Sequence, residues 1–126
     1  MSRREWIGVA AIAIIALMAR MVGIGWGAPA PGRYLSWSPD EGSFTSMLYH
    51  MDPAHLSLNP GRFDIPSLTP YALAVALVIG KVLGAVELVP SKDYYVTDLE
   101  QWGRVFLTGR FISVLFAALS VVVTAI

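Results

Sequence analysis

Two adjacent carboxylates, Asp40 and Glu41, stand in the run Ser38-Pro39-Asp40-Glu41-Gly42 and are the residues best placed to do chemistry. A carboxylate can take the proton of an attacking hydroxyl, and two together can begin a divalent-metal site. The same spacing makes a complete capping box: Ser38 as N-cap, proline at the first helical position and Glu41 three residues on. The two readings are compatible, because the first turn of a helix offers free N–H groups and a dipole end that favour negative charge. Mg or Mn needs more oxygen ligands than these two, and the other acids of the loop, Asp52 and Asp64, are at no fixed spacing from them. A divalent metal at Asp40 and Glu41 is therefore open, with no cofactor certain. His50 and His55 have no further His or Cys at ligand spacing, which argues against zinc.

The cations form a second set, Arg20, Arg62, Lys81 and Arg110, taken as candidate substrate-binding residues. Arg20 lies six residues before Trp26 and Arg110 eight after Trp102, so each sits inside an apolar run at similar depth. One reading is snorkelling, the long stem carrying the charge out to the headgroups. The other is that the two guanidinium groups face a shared cavity and hold a phosphate by charge-assisted, bidentate hydrogen bonds.

The elements that must position these residues are those of a membrane chain. Of its 126 residues 56% are apolar and 14% charged, and mean hydropathy is +0.60, a composition outside that of soluble domains. Net charge is zero and the basic residues are scattered, so nothing favours nucleic acid as a partner. Cysteine is absent, which excludes disulfides and thiolate metal sites.

The first apolar stretch runs from Trp6 to Trp26 after Arg3 and Arg4. As a helix rising about 1.5 Å per residue it covers about 30 Å, the thickness of a bilayer core, with tryptophan at each interface. A cleaved signal peptide is the competing reading, although its apolar region is usually only about 7–15 residues. The basic start places the N-terminus in the cytoplasm. The last stretch, residues 105–126, is the second expected span, introduced by a T-x-x-E capping box at Thr97 and Glu100 and by an interfacial Trp102. It ends without a basic flank, the pattern of a span cut short.

Residues 70–89 are long enough to span but carry Lys81 at their centre, which costs about 2.5–3.5 kcal/mol in a bilayer. The segment after them has no basic excess. This stretch is therefore expected at the outer surface or against the bundle, with Gly80 and Gly84 letting another helix approach closely. In the polar loop, Phe44, Met47, Leu48 and Met51 recur at helical spacing after Ser38 and predict a short amphipathic helix on the membrane surface. The expected fold is all-α and membrane-embedded: a first transmembrane helix over 1–28, an extracytoplasmic loop with amphipathic and juxtamembrane helices over 29–104, and a second transmembrane helix over 105–126.

Four patches carry a family resemblance. Arg20-Met-Val-Gly ends the first span, Ser38-Pro39-Asp40-Glu41-Gly42 opens the loop, Asn59-Pro60-Gly61-Arg62-Phe63-Asp64-Ile65-Pro66-Ser67-Leu68 follows, and Gly109-Arg110-Phe111-Ile112-Ser113-Val114-Leu115-Phe116 runs into the next span. In order and spacing they resemble the start of GT-C glycosyltransferases of the protein mannosyltransferase and aminoarabinose transferase type. The pattern departs at Ser38, where histidine is frequent, and at Ile65, where tyrosine or lysine often precedes the proline pair. The resemblance implies a multi-pass enzyme of the cell membrane that takes sugar from a polyprenyl-phosphate donor on the outer face, with Asp40 as the essential acid of its first outer loop. It also implies many further spans, so that this chain alone is expected to be inactive. Two other classes stay open: a small two-span protein acting by helix association, and an anchored extracytoplasmic binding module, for which the loop has little periodic apolar sequence.

Overall fold

The computed structural model describes residues 2–51, 57–62, 68–89 and 91–125. Asp52, His55, Asp64 and the patch from Phe63 to Ser67 lie outside them. Among the described residues the secondary structure is helical, with no β-strand: α1 (Arg3–Met21), α2 (Pro39–Leu48), α3 (Leu68–Val82), α4 (Lys92–Thr97) and α5 (Leu99–Ala125). The chain divides into two compact units, one of Met1–Trp26 with Arg110–Ile126 and one of Gly27–Gly109.

In the first unit α1 opens on a capping box. The Ser2 hydroxyl accepts from the Glu5 N–H at 3.3 Å, and the Glu5 carboxylate accepts from the Ser2 N–H at 2.6 Å. The helix stops earlier than the apolar stretch does. Val22 turns extended, Gly23 takes φ +77°, and hydrogen-bonded turns carry the chain through Ile24 to Trp26. The expected helix over 1–28 is thus corrected to 19 residues, about 28 Å at about 1.5 Å per residue. Glycines at 23, 25 and 27 favour conformations that end a helix, and apolarity alone does not report them.

In the second unit Met47 is fully buried, and Leu73 and Leu77 of α3, Val86, Tyr95 of α4, and Trp102, Val105 and Phe106 of α5 are buried as well. Helix α2 packs on α3. Of the stripe expected on the membrane surface, Met47 instead serves the interior of the unit, with no exposed surface. Its burial contributes about 1.5–3 kcal/mol.

Helix α3 ends in a Schellman motif. Gly84, at φ +70°, donates to Lys81 O at 3.0 Å, and Ala85 donates to Gly80 O at 2.8 Å. Gly84 therefore stops the helix, and the missing Cβ of Gly80 faces Val86, at 3.7 Å. With 15 residues α3 is about 22 Å long, short of a bilayer core, and Lys81 falls in its last turn, where a cation suits the dipole. Lys81, at the centre of the apolar stretch 70–89, is thus near the end of the helix that the stretch forms.

The cap of α5 is Asp98, whose Oδ1 accepts from the Gln101 N–H at 3.0 Å. The expected pair does other work. Thr97 donates back to Tyr94 O at 2.8 Å, and Glu100 pairs with Arg104 at 2.7 Å. Trp102 is 7% exposed, and its indole N–H donates to Tyr34 O at 3.2 Å. Helix α5, with 27 residues, is the one helix among the described residues long and apolar enough to cross a membrane.

Candidate functional site

The segment from Gly27 to Ser38 leads into α2 and is held by its own chemistry. Pro31-Gly32 makes a tight turn, with Gly32 at φ +84° and Ala30 and Arg33 exchanging backbone hydrogen bonds at 3.0 and 2.8 Å. The Arg33 guanidinium donates to Ala28 O from Nε at 3.2 Å and from Nη2 at 2.5 Å, and lies 5.2 Å from the centre of the Trp37 ring. Gly27, at φ +69°, lets that ring close in, since a Cβ there would stand 3.1 Å from the Trp37 Cβ.

This segment meets α2 at Ser38, which is the N-cap with proline at the first helical position, as the sequence predicts. The capping box itself does not form. The Ser38 side chain makes no cap hydrogen bond, and Glu41 accepts instead from the hydroxyl of Ser36, which in turn accepts from the Ser38 N–H at 3.1 Å. Ser36 thus takes over the bridging role, a substitution the i, i+3 spacing cannot reveal because Ser36 lies outside the motif.

The two carboxylates are thereby separated in role. Glu41 is half-buried and engaged by Ser36, whereas Asp40, one residue away in the first turn, is exposed and has no hydrogen-bond or ionic partner among the described residues. Among those residues no group of three His, Asp or Glu side chains comes together in a metal-ligating cluster.

On the other side of α2 lies a cleft of about 460 Å³ bounded by Tyr34, Leu35, Ser36, Ser38, Gly42, Thr45, Ser46, Tyr49, Trp102 and Phe106. The Tyr34 and Trp102 rings stack at 5.8 Å and 15°, and Trp102 meets Phe106 edge-on at 4.9 Å. The Tyr49 hydroxyl is pushed up to about 12, chiefly by burial and then by neighbouring Tyr95 and Tyr34, so it stays a neutral phenol at physiological pH. A second groove of about 390 Å³, mostly apolar, shares Thr45, Tyr49 and Trp102 with the cleft and is walled by α3 and residues 88–89. The segment after α3 is stitched down by tyrosines: Tyr94 donates to Glu87 Oε2 at 2.5 Å and Tyr95 to Glu87 O at 3.0 Å. The Glu87 hydrogen bond, aided by desolvation and nearby negative charge, raises Tyr94 to about 12.

The four cations are divided between the two units. In the first unit Arg20 folds back along α1 to Ala16 O at 3.4 Å, and Arg110 Nη1 donates to both Ile24 O and Trp26 O at 2.7 Å. Arg110 therefore fastens the turns that follow α1, a role neither reading of the sequence contained. In the second unit Arg62 and Lys81 are exposed.

Comparison with known proteins found no matching family model, no matching curated protein and no matching solved structure.

Proposed function

We propose that this chain forms the N-terminal part of an integral-membrane GT-C glycosyltransferase that moves a sugar from a polyprenyl-phosphate-linked donor to an acceptor hydroxyl on the extracytoplasmic side. Asp40 is the general base. It takes the proton of the acceptor hydroxyl as that oxygen bonds to the anomeric carbon, and the bond from that carbon to the donor phosphate breaks with its electron pair on the phosphate. Glu41, held by Ser36, shapes the turn that presents Asp40. The observation that carries this reading is the exposed Asp40 carboxylate, unengaged among the described residues, beside an acidic neighbour already in use.

Supporting the membrane setting, α1 exposes Trp6, Ile7, Ile12, Ile14, Ile15 and Met18 around its circumference, the pattern of a helix whose solvent is lipid. In this proposal α1 is the first span with its basic end in the cytoplasm, α5 from residue 105 onward is the second, and residues 29–104 form the outer loop. Arg20, Arg62, Lys81 and Arg110 are the cations available to a donor phosphate, of which Arg110 already spends one nitrogen on backbone carbonyls.

The test compares Asp40→Asn with Glu41→Gln in the complete enzyme, at matched expression. Asp40→Asn keeps the shape and removes the base, so turnover falls by about 10²–10⁴-fold, the usual contribution of general-base catalysis. Glu41→Gln keeps an acceptor for Ser36 and loses far less. Equal losses, or full activity in Asp40→Asn, would remove Asp40 from the role.

A further inference from the structure

The cleft bounded by Tyr34, Gly42 and Ser46 has no part in the chemistry assigned to Asp40, because it lies round the helix from that residue. At 3.6 residues per turn, Asp40 and Gly42 stand about 160° apart on α2. Opposite sides of a helix are separated by about 10–12 Å. A sugar reacting at Asp40 cannot occupy the cleft at the same time.

What lines the cleft is neutral and rich in hydroxyls: of its ten residues six carry one and none is charged. The Tyr34 and Ser38 hydroxyls have no partner among the described residues and are free to donate or accept. Thr45 and Ser46 donate to the backbone of their own helix, at 3.0 and 2.8 Å, which leaves their oxygen lone pairs as acceptors. The stacked Tyr34 and Trp102 rings supply an apolar wall. The volume of about 460 Å³ falls in the small-molecule range of roughly 300–1,000 Å³. A phosphate would find no counter-charge here. A pyranose ring fits each feature, since its hydroxyls both donate and accept and its C–H face packs on an aromatic one.

We infer that this cleft binds a neutral hexose unit of a glycan acceptor, away from the sugar being transferred. The neutral, polyhydroxylated character of the ligand is argued from the cleft's lining; that the hexose belongs to an acceptor rests on the transferase reading proposed above.

The test uses the full chain in lipid nanodiscs, with methyl α-mannoside, methyl α-glucoside and methyl α-galactoside as probes, inorganic phosphate as the anionic counterpart, and tryptophan emission and saturation-transfer NMR as readouts. At least one hexoside should bind and phosphate should not displace it. Gly42→Leu fills the cleft where a Cβ meets nothing within 4 Å and replaces a poor helix former, so it should abolish binding with helicity intact. Ser46→Ala, a smaller change that keeps the fold in any case, should weaken binding about tenfold, the worth of one hydrogen bond. No hexoside binding to the wild-type chain, full binding to Gly42→Leu, or competition by phosphate would overturn the assignment. Asp40→Asn, with transfer measured in the complete enzyme, separates the two proposals. Retained hexoside binding with retained transfer ends the catalytic reading and leaves the cleft, whereas wild-type transfer without hexoside binding ends the cleft alone.

Discussion

Gly103 is buried in α5 where the Gly27–Ser38 segment crosses it, and a Cβ added there would lie 2.5 Å from the carbonyl oxygen of Pro29. Substituting alanine has two opposed effects. Alanine in a helix interior is favoured over glycine by about 0.5–1 kcal/mol. Against that, the clash is with backbone, so no rotamer change relieves it, and overpacking of this kind costs about 1–3 kcal/mol. The cost wins by about 1 kcal/mol. Gly42→Ala is the control, because its Cβ meets nothing and only the helix gain of about 1 kcal/mol remains. The two variants should thus differ by about 2 kcal/mol, or about 10 °C in Tm for a domain of this size. Thermal unfolding followed by circular dichroism in one detergent checks it, and Gly103→Ala should also shift tryptophan emission as Tyr34 is pushed off Trp102. A Gly103→Ala protein that melts at or above wild type would refute the close approach of the two segments.

Other outcomes follow from the caps, the tyrosines and the membrane setting. Asp98→Ala removes the cap of α5 and should cost about 0.5–2 kcal/mol, whereas Thr97→Ala should cost less; the reverse order in urea melts would restore the T-x-x-E box. Tyr94 is raised from 10.0 to about 12 in the folded chain, so its hydrogen bond stabilises fully below pH 10 and the effect is lost as pH rises from there through about 12. Tyr94→Phe should flatten that part of the stability–pH curve, and an unchanged curve would detach Tyr94 from Glu87. Single cysteines at positions 2, 57 and 91 should react with an impermeant thiol reagent in intact cells only at 57 and 91; shielding at 91 would mean that residues 70–89 cross the membrane.

Helix positions were legible in the sequence wherever a run was both apolar and periodic, and Ser38 with Pro39 correctly marked the start of α2. Helix ends were less so. At α1 and α3 the apolar runs continue past the last helical residue, and Gly23 and Gly84 decide the stop through positive φ, which a hydropathy pattern does not register. Two capping boxes of correct spacing, at Ser38 and Thr97, failed because a nearer competitor won: Ser36 took Glu41, and Asp98 stood one residue closer to α5. Trp102 stands beside an apolar run, as interfacial tryptophans usually do, and Tyr34, 68 residues away in sequence, accepts its N–H. That pairing carries no local signal, and the cleft built on it was hidden for the same reason. The carboxylate pair was legible as a pair. Its division into one engaged and one exposed member needed the position of Ser36.

Glycosyl transfer itself is tested most directly by donor consumption. Membranes bearing the complete enzyme would be incubated with polyprenyl-phosphate sugar labelled in the sugar, and release of free polyprenyl phosphate followed against membranes bearing Asp40→Asn. Release should occur with the wild-type protein and fall by at least about 10²-fold with the variant. Equal release from both membranes would contradict it.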